Sequence, residues 1–140
     1  MEGSSSARLY CTLVGAVLVI AGIIGFFYEA SFATGDSIVS DDVFGILAVN
    51  GWHNLIGHIA IGLVLLACAG YAAREAALGV GLLYVVLAIW GFLVVDNGVG
   101  DILGLIPINN EDNVLHLILG LTGLAAGAAT PKESRPVATA

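Results

Sequence analysis

Four apolar runs govern what this chain can fold into, because each is close to the roughly 20 residues that an α-helix needs to cross a bilayer. They cover 9–28, 54–73, 76–95 and 113–129. In lipid every backbone N–H and C=O has to be paired within the protein, so spans of this length are helical. Four of them leave little of the 140 residues for a soluble catalytic domain. The chain is 59% hydrophobic and 11% charged, where a soluble domain carries about 45–50% apolar and roughly 25% charged residues. A soluble globule, a disordered chain and a nucleic-acid binder are all poor fits to that composition. The first run exceeds the apolar region of about 7–15 residues in a signal peptide, and more spans follow, so it reads as a retained anchor.

The cations set a direction. Arg8 precedes the first run, Arg74 lies between the second and third, and Lys132 and Arg135 follow the fourth. With four spans these all fall on one side, whereas the loops on the other side contain no Lys or Arg. Those loops, about 29–53 and 96–112, hold Glu29, Asp36, Asp41, Asp42, Asp96, Asp101, Glu111 and Asp112, which are eight of the eleven acids. Cytoplasmic loops carry the excess of Lys and Arg, so both termini are expected in the cytoplasm, with the protein multi-pass in the plasma (inner) membrane. Residues 1–8 form a short cytoplasmic start and 130–140 a disordered cytoplasmic tail. Tyr10 and Tyr71 are expected in the aromatic girdle at the cytoplasmic ends, and Tyr28 and Trp52 at the outer ends. Tyr84 falls mid-span and needs a hydrogen-bond partner inside the protein, such as a neighbouring backbone carbonyl. The link between the second and third runs, Arg74-Glu75 or little more, demands a tight helical hairpin. Cys11 and Cys68 sit in apolar runs near the reducing side and read as small buried hydrophobes rather than a redox pair.

The chain also repeats itself. Phe44-Gly45-Ile46-Leu47-Ala48-Val49-Asn50 reads against Leu103-Gly104-Leu105-Ile106-Pro107-Ile108-Asn109. An Asn recurs four residues on (Asn54, Asn113), then a His (His58, His116), and four residues later a Gly (Gly62, Gly120). Gly15 and Gly25-Phe26 match Gly81 and Gly91-Phe92 at equal spacing. The unit is helix, outer loop, Asn-x-x-x-Asn, helix. Two copies, about 9–73 and 76–129, run in the same direction and are related by a pseudo-two-fold axis along the membrane normal. The expected fold is thus an all-α membrane protein, a four-helix transmembrane bundle built from two tandem parallel helical-hairpin repeats. Gly25, Gly62, Gly91, Gly120, Gly123 and Gly127 are the candidate packing positions. Gly123-x-x-x-Gly127 and Ala21-x-x-x-Gly25 are small-xxx-small patterns that suit close contact within the bundle or across a homodimer face.

Polar residues gather at the outer ends of the second and fourth spans: Asn50, His53, Asn54, His58, Asn109, Asp112, Asn113 and His116, with Asn110 and Glu111 beside them. Three readings compete. In the structural one, Asn50 and Asn109 tie each loop to a helix start, Asn54 and Asn113 cap the helices, and each His bonds between helices. In the second, His58 and His116 are ligands from two helices for a transition metal or a haem, with Asp112 or Glu111 as an added oxygen ligand. In the third, the cluster lines a small polar cavity for a proton, an ion, a lipid headgroup or a quinone. No acid or base lies deep in a span, which argues against a path across the membrane. No Ser/His/Asp arrangement, phosphate loop or paired intramembrane aspartates is present, so no enzyme is expected. No cofactor is expected on the structural reading. The expected partners are the lipid bilayer and either further copies of the chain or a larger membrane complex.

The His53-Asn54 start of the second span, Gly104-Leu105-Ile106-Pro107-Ile108-Asn109 and Asp112-Asn113-Val114-Leu115-His116-Leu117-Ile118-Leu119-Gly120 together carry a resemblance. From about Gly25 to Gly127 the chain resembles a bacterial membrane-protein family known as domain of unknown function 4383. The resemblance implies a four-span membrane protein of unassigned activity and brings no catalytic residues. One departure stands out. Asn113-x-x-His116 would be matched by His-Asn-x-x-His, but the chain has His53-Asn54-Leu55-Ile56-Gly57-His58, one residue longer. On an ideal helix the extra residue turns His58 by about 100°, and a bulged turn near Gly57 would restore it.

Overall fold

In the computed structural model, which describes residues 5–132, the apolar runs are helices. Residues 1–4 and nearly all of the expected disordered tail, from 133 onward, lie outside the described residues. Helix α1 spans Ser6–Gly25, α2 Ile61–Cys68, α3 Ala73–Val94 and α4 Asn110–Ala129. A π-helical segment, His53–Ala60, runs directly into α2. Ser5 starts α1 by accepting the amide of Arg8 at 3.2 Å, which satisfies one of the donors left free in a first turn. Among the described residues α1, α3 and α4 are long and apolar enough to cross a membrane.

The second run departs from its expected bounds. Its helix ends at Cys68 rather than continuing to residue 73, and the link to α3 is the turn 69–72, with Arg74 and Glu75 inside α3. Tyr71 and Ala72 donate back to Cys68 O at 3.2 and 2.9 Å, closing the turn. Arg8 then donates to Ala69 O and Gly70 O at 3.1 and 3.4 Å, pairing carbonyls that a helix end leaves free. At the same end Arg74 donates to Thr130 O at 3.0 Å, and the Ala7 amide donates to Thr130 Oγ1 at 2.9 Å. The start of α1, the 69–72 turn and the end of α4 therefore meet at one end of the molecule.

The helices approach backbone to backbone. A Cβ on Gly15 would lie 2.9 Å from Gly62 O, and one on Gly62 would lie 2.7 Å from Gly15 O. Gly81 and Gly120 stand in the same relation, each 2.9 Å from the other's carbonyl. Gly123 receives the Tyr10 hydroxyl and Gly127 the Leu78 side chain, so this small-xxx-small pair faces the interior. Tyr10 is correspondingly buried, with its hydroxyl on Leu119 O at 2.9 Å; it is a core residue rather than a girdle residue. Around it pack Ala7, Cys11, Leu18, Leu65, Ala77, Val80 and Tyr84. Both cysteines are free, Cys11 buried with its thiol on Ala73 O at 3.4 Å and Cys68 half-buried. The opposite face of α1 stays apolar and exposed at Leu9, Leu13, Val17, Ile20 and Ile23, as suits a lipid-facing stripe.

The described residues are mostly helical, consistent with an α membrane protein, and the long loops add short strands. Each long loop folds into an antiparallel hairpin: β1 (Asp41–Val43) with β2 (Leu47–Val49), and β3 (Val99–Ile102) with β4 (Ile106–Asn109). Val43 pairs with Leu47, and Ile102 with Ile106. The tips turn through Phe44-Gly45 and Leu103-Gly104, all four at positive φ, as a hairpin turn that follows the natural twist of its strands requires. A further tight turn at Asn97-Gly98, φ 50 and 98, leads from α3 into β3.

Candidate functional site

The polar cluster is built at the end where the hairpins meet the second and fourth helices. Its outermost residues are Asn50 and Asn109, both buried. Asn50 Oδ1 accepts the His53 amide at 2.9 Å, and Asn109 Oδ1 accepts the Asp112 amide at 2.8 Å. These two are the helix caps. Each uses its amide nitrogen on the other half of the chain: Asn50 Nδ2 donates to Leu105 O at 2.9 Å, and Asn109 Nδ2 donates to Ile46 O at 2.6 Å. The cap of each helix thus grips the turn of the opposite hairpin.

One turn along, His53 and Asp112 hold the same strand residue from two sides. His53 Nδ1 lies 2.8 Å from Ala48 O, and Asp112 Oδ2 accepts the Ala48 amide at 3.0 Å. The same Asp112 oxygen accepts the Asn109 amide at 3.0 Å, completing a capping box. A carbonyl can only accept, so Nδ1 of His53 carries a proton. Asp112 is therefore a structural carboxylate committed to two backbone amides.

Asn54 and Asn113 are not caps. They lie inside the helices, fully buried, each pressed on a glycine of the preceding long helix. A Cβ on Gly25 would overlap Asn54 Oδ1, and a Cβ on Gly91 would overlap Asn113 Oδ1. Neither oxygen has an N–H or O–H donor. What faces it is a glycine Cα–H, a weak hydrogen bond that recurs where helices pack closely. Asn54 Nδ2 additionally donates to Glu29 O at 3.0 Å, while Asn113 Nδ2 is buried without a partner. The sequence reading misses this role because N-cap preference is a local rule. The signal that finds it is the shared spacing of Gly25 with Gly91 and Asn54 with Asn113.

The innermost layer is aromatic. The His53 and His58 rings lie 4.6 Å apart at 36°, His53 and His116 6.0 Å apart at 59°, and His116 and Tyr84 5.3 Å apart at 31°. The π-helical segment absorbs the extra residue before His58, so both His58 and Tyr84 reach this group. A π turn leaves a carbonyl short of its usual helical donor, and the Tyr84 hydroxyl supplies one to Gly57 O at 3.0 Å. That is the internal partner expected of Tyr84. Buried nitrogens without partners remain at His53 Nε2, His58 Nδ1 and His116 Nδ1. Among the described residues no group of three or more His, Cys, Asp or Glu side chains is placed to hold a metal ion. A cleft of about 240 Å³ opens between the hairpin stems, lined by Ser40, Asp41, Asp42, Gly98, Val99 and Asn109; no histidine lines it. Asn110 and Glu111 are exposed on the first turn of α4.

Of the eight predicted residues, all are buried and all fall in this one region. The model of a family described as a domain of unknown function, DUF4383, matches residues 8–129. No curated protein and no solved structure matches the chain.

Proposed function

The chain belongs to the DUF4383 family, and since no activity is assigned to that family we propose, from its geometry, that it is a non-enzymatic membrane subunit that acts by association. Its frame is a four-helix transmembrane bundle of two tandem parallel repeats, about 9–73 and 76–129, in the plasma membrane with both termini cytoplasmic. Matched roles support the repeat: Gly15/Gly62 with Gly81/Gly120, Gly25/Asn54 with Gly91/Asn113, and Asn50 with Asn109. The orientation is supported by Arg8 and Arg74, which sit at the same end, beside the chain's other cations in sequence.

The observation that carries the reading is the exchange between Asn50 and Asn109. Each amide side chain both caps a helix and binds the opposite hairpin, so the two outer loops become one platform rigidly joined to the bundle. Asn50, His53, Asn109 and Asp112 are the polar groups that hold that platform. The expected partners are a further copy of the chain or another membrane component.

A second reading, a small redox or metal-binding subunit using His58 and His116 with a haem or a transition metal, is favoured by their unpartnered ring nitrogens. One experiment separates the two. The protein is extracted from its host in mild detergent, its assembled mass is measured by native mass spectrometry, and the same sample is analysed by absorption and for metals. An assembly heavier than one 14.3 kDa chain, colourless and metal-free, is the expected result. A monomer with a Soret band or stoichiometric metal that His116→Ala abolishes would replace association with the second reading.

A further inference from the structure

The hairpin tips break the usual turn chemistry in the same way twice. Phe44 and Leu103 occupy positive φ, 55 and 59, where Asn, Asp or Gly is strongly preferred and a bulky side chain is strained. The chain uses the favoured pair elsewhere: the turn after α3 is Asn97-Gly98. The first position of each tip has been given to a large apolar residue instead. Both side chains stay largely uncovered, Phe44 at 73% and Leu103 at 72% exposure, with Ile46 54% exposed beside Phe44.

The surroundings say what these side chains meet. The Phe44 ring stands edge-on to Tyr28, centroids 5.7 Å apart at 67°. Tyr28 follows directly on the end of α1, and its neighbour Phe27 is 85% exposed. The first tip is therefore level with the end of a helix whose outer stripe is apolar, and it continues that surface. The stem behind it is acidic, with Asp41 and Asp42 exposed on β1. In the second hairpin Asp101 turns inward to the Gly104 amide at 2.6 Å, behind the exposed Leu103. The first tip is apolar on an acidic stem and continues a lipid-facing stripe, which suits a boundary between hydrocarbon and water, and the second tip matches it in an exposed apolar residue at positive φ. We propose that both hairpin tips are immersed in the headgroup–acyl boundary of the leaflet on their side, so that the joined hairpins are anchored to lipid at Phe44 and Leu103.

This inference rests on the membrane-spanning reading, and its test keeps the two apart. Single nitroxide labels are placed by Phe44→Cys, Leu103→Cys, Asp36→Cys and Leu13→Cys in a chain carrying Cys11→Ala and Cys68→Ala, reconstituted into phosphatidylcholine vesicles. Collision with oxygen, which concentrates in lipid, is compared with collision with a water-soluble nickel chelate. Positions 44 and 103 should favour oxygen several-fold over position 36, approaching position 13. Nickel access at 44 or 103 equal to that at 36 would overturn the proposal. Protection from both reagents would overturn it too, since it would mean that protein covers the tips. Failure of position 13 to favour oxygen would instead overturn the spanning reading, and the proposal with it.

Discussion

Gly91→Ala tests how the polar cluster is seated. The new methyl group would overlap Asn113 Oδ1 and come within 2.7 Å of Ile108 Cδ1, itself fully buried. Overpacking a tight interior site costs about 1–3 kcal/mol. Losing the Cα–H···O contact adds about 0.5–1 kcal/mol. The single variant should therefore lose about 1.5–4 kcal/mol. Asn113→Ala removes the same weak contact and leaves a small void. It also removes a buried amide nitrogen that has no partner, a group whose burial costs about 1–3 kcal/mol. Its net effect should be within about 1 kcal/mol of zero. In the double variant the methyl at 91 enters the space the amide vacates, so the loss should fall well below the sum of the singles. The coupling should be at least about 1.5 kcal/mol, where independent sites add to within about 0.3–0.5 kcal/mol. The assay is reversible unfolding in mixed detergent and dodecyl sulfate, followed by far-ultraviolet circular dichroism. Additivity would refute the reasoning, because it would mean that Gly91 and Asn113 do not confront one another. The same cycle on Gly25 and Asn54 should show coupling of the same sign.

Three further outcomes are expected in the same unfolding assay. Asn109→Ala loses a cap worth about 1 kcal/mol and strands Ile46 O, for a total of about 2–3 kcal/mol; Asn109→Ser keeps a capping oxygen without adding charge and should lose about half of that. Deleting Gly57 should be tolerated to within about 1 kcal/mol, since the π segment takes up the extra residue locally; deleting Val64 from α2 should unfold the protein, because it turns everything beyond it by about 100°. Phe44→Gly should stabilise the fold by about 1 kcal/mol by relieving the positive-φ strain. A loss of stability there would show that the edge-on contact of Phe44 with Tyr28 outweighs the strain.

What could be read from residues alone was whatever lipid dictates locally. A run of about 20 apolar residues must close its own hydrogen bonds, so the long helices followed from their length. The Asn, His and Gly spacings brought eight polar residues to one region before any contact was known, and the length of His53–His58 marked the site of the π turn. The hairpins were less visible, although Phe44-Gly45, Leu103-Gly104 and Asn97-Gly98 all carried turn glycines. A strand pair of three or four residues is marginal by itself. Here it exists because each turn carbonyl accepts from the other half's cap. For the same reason local propensity misassigned the caps. Asn54 and Asn113 look like good helix starts, yet Asn50 and Asn109 take that role because only they can also reach Leu105 O and Ile46 O. Which asparagine caps and which one packs on glycine depends on partners about 25 to 63 residues away. No rule over neighbouring residues contains that distance; the packing of the two halves does.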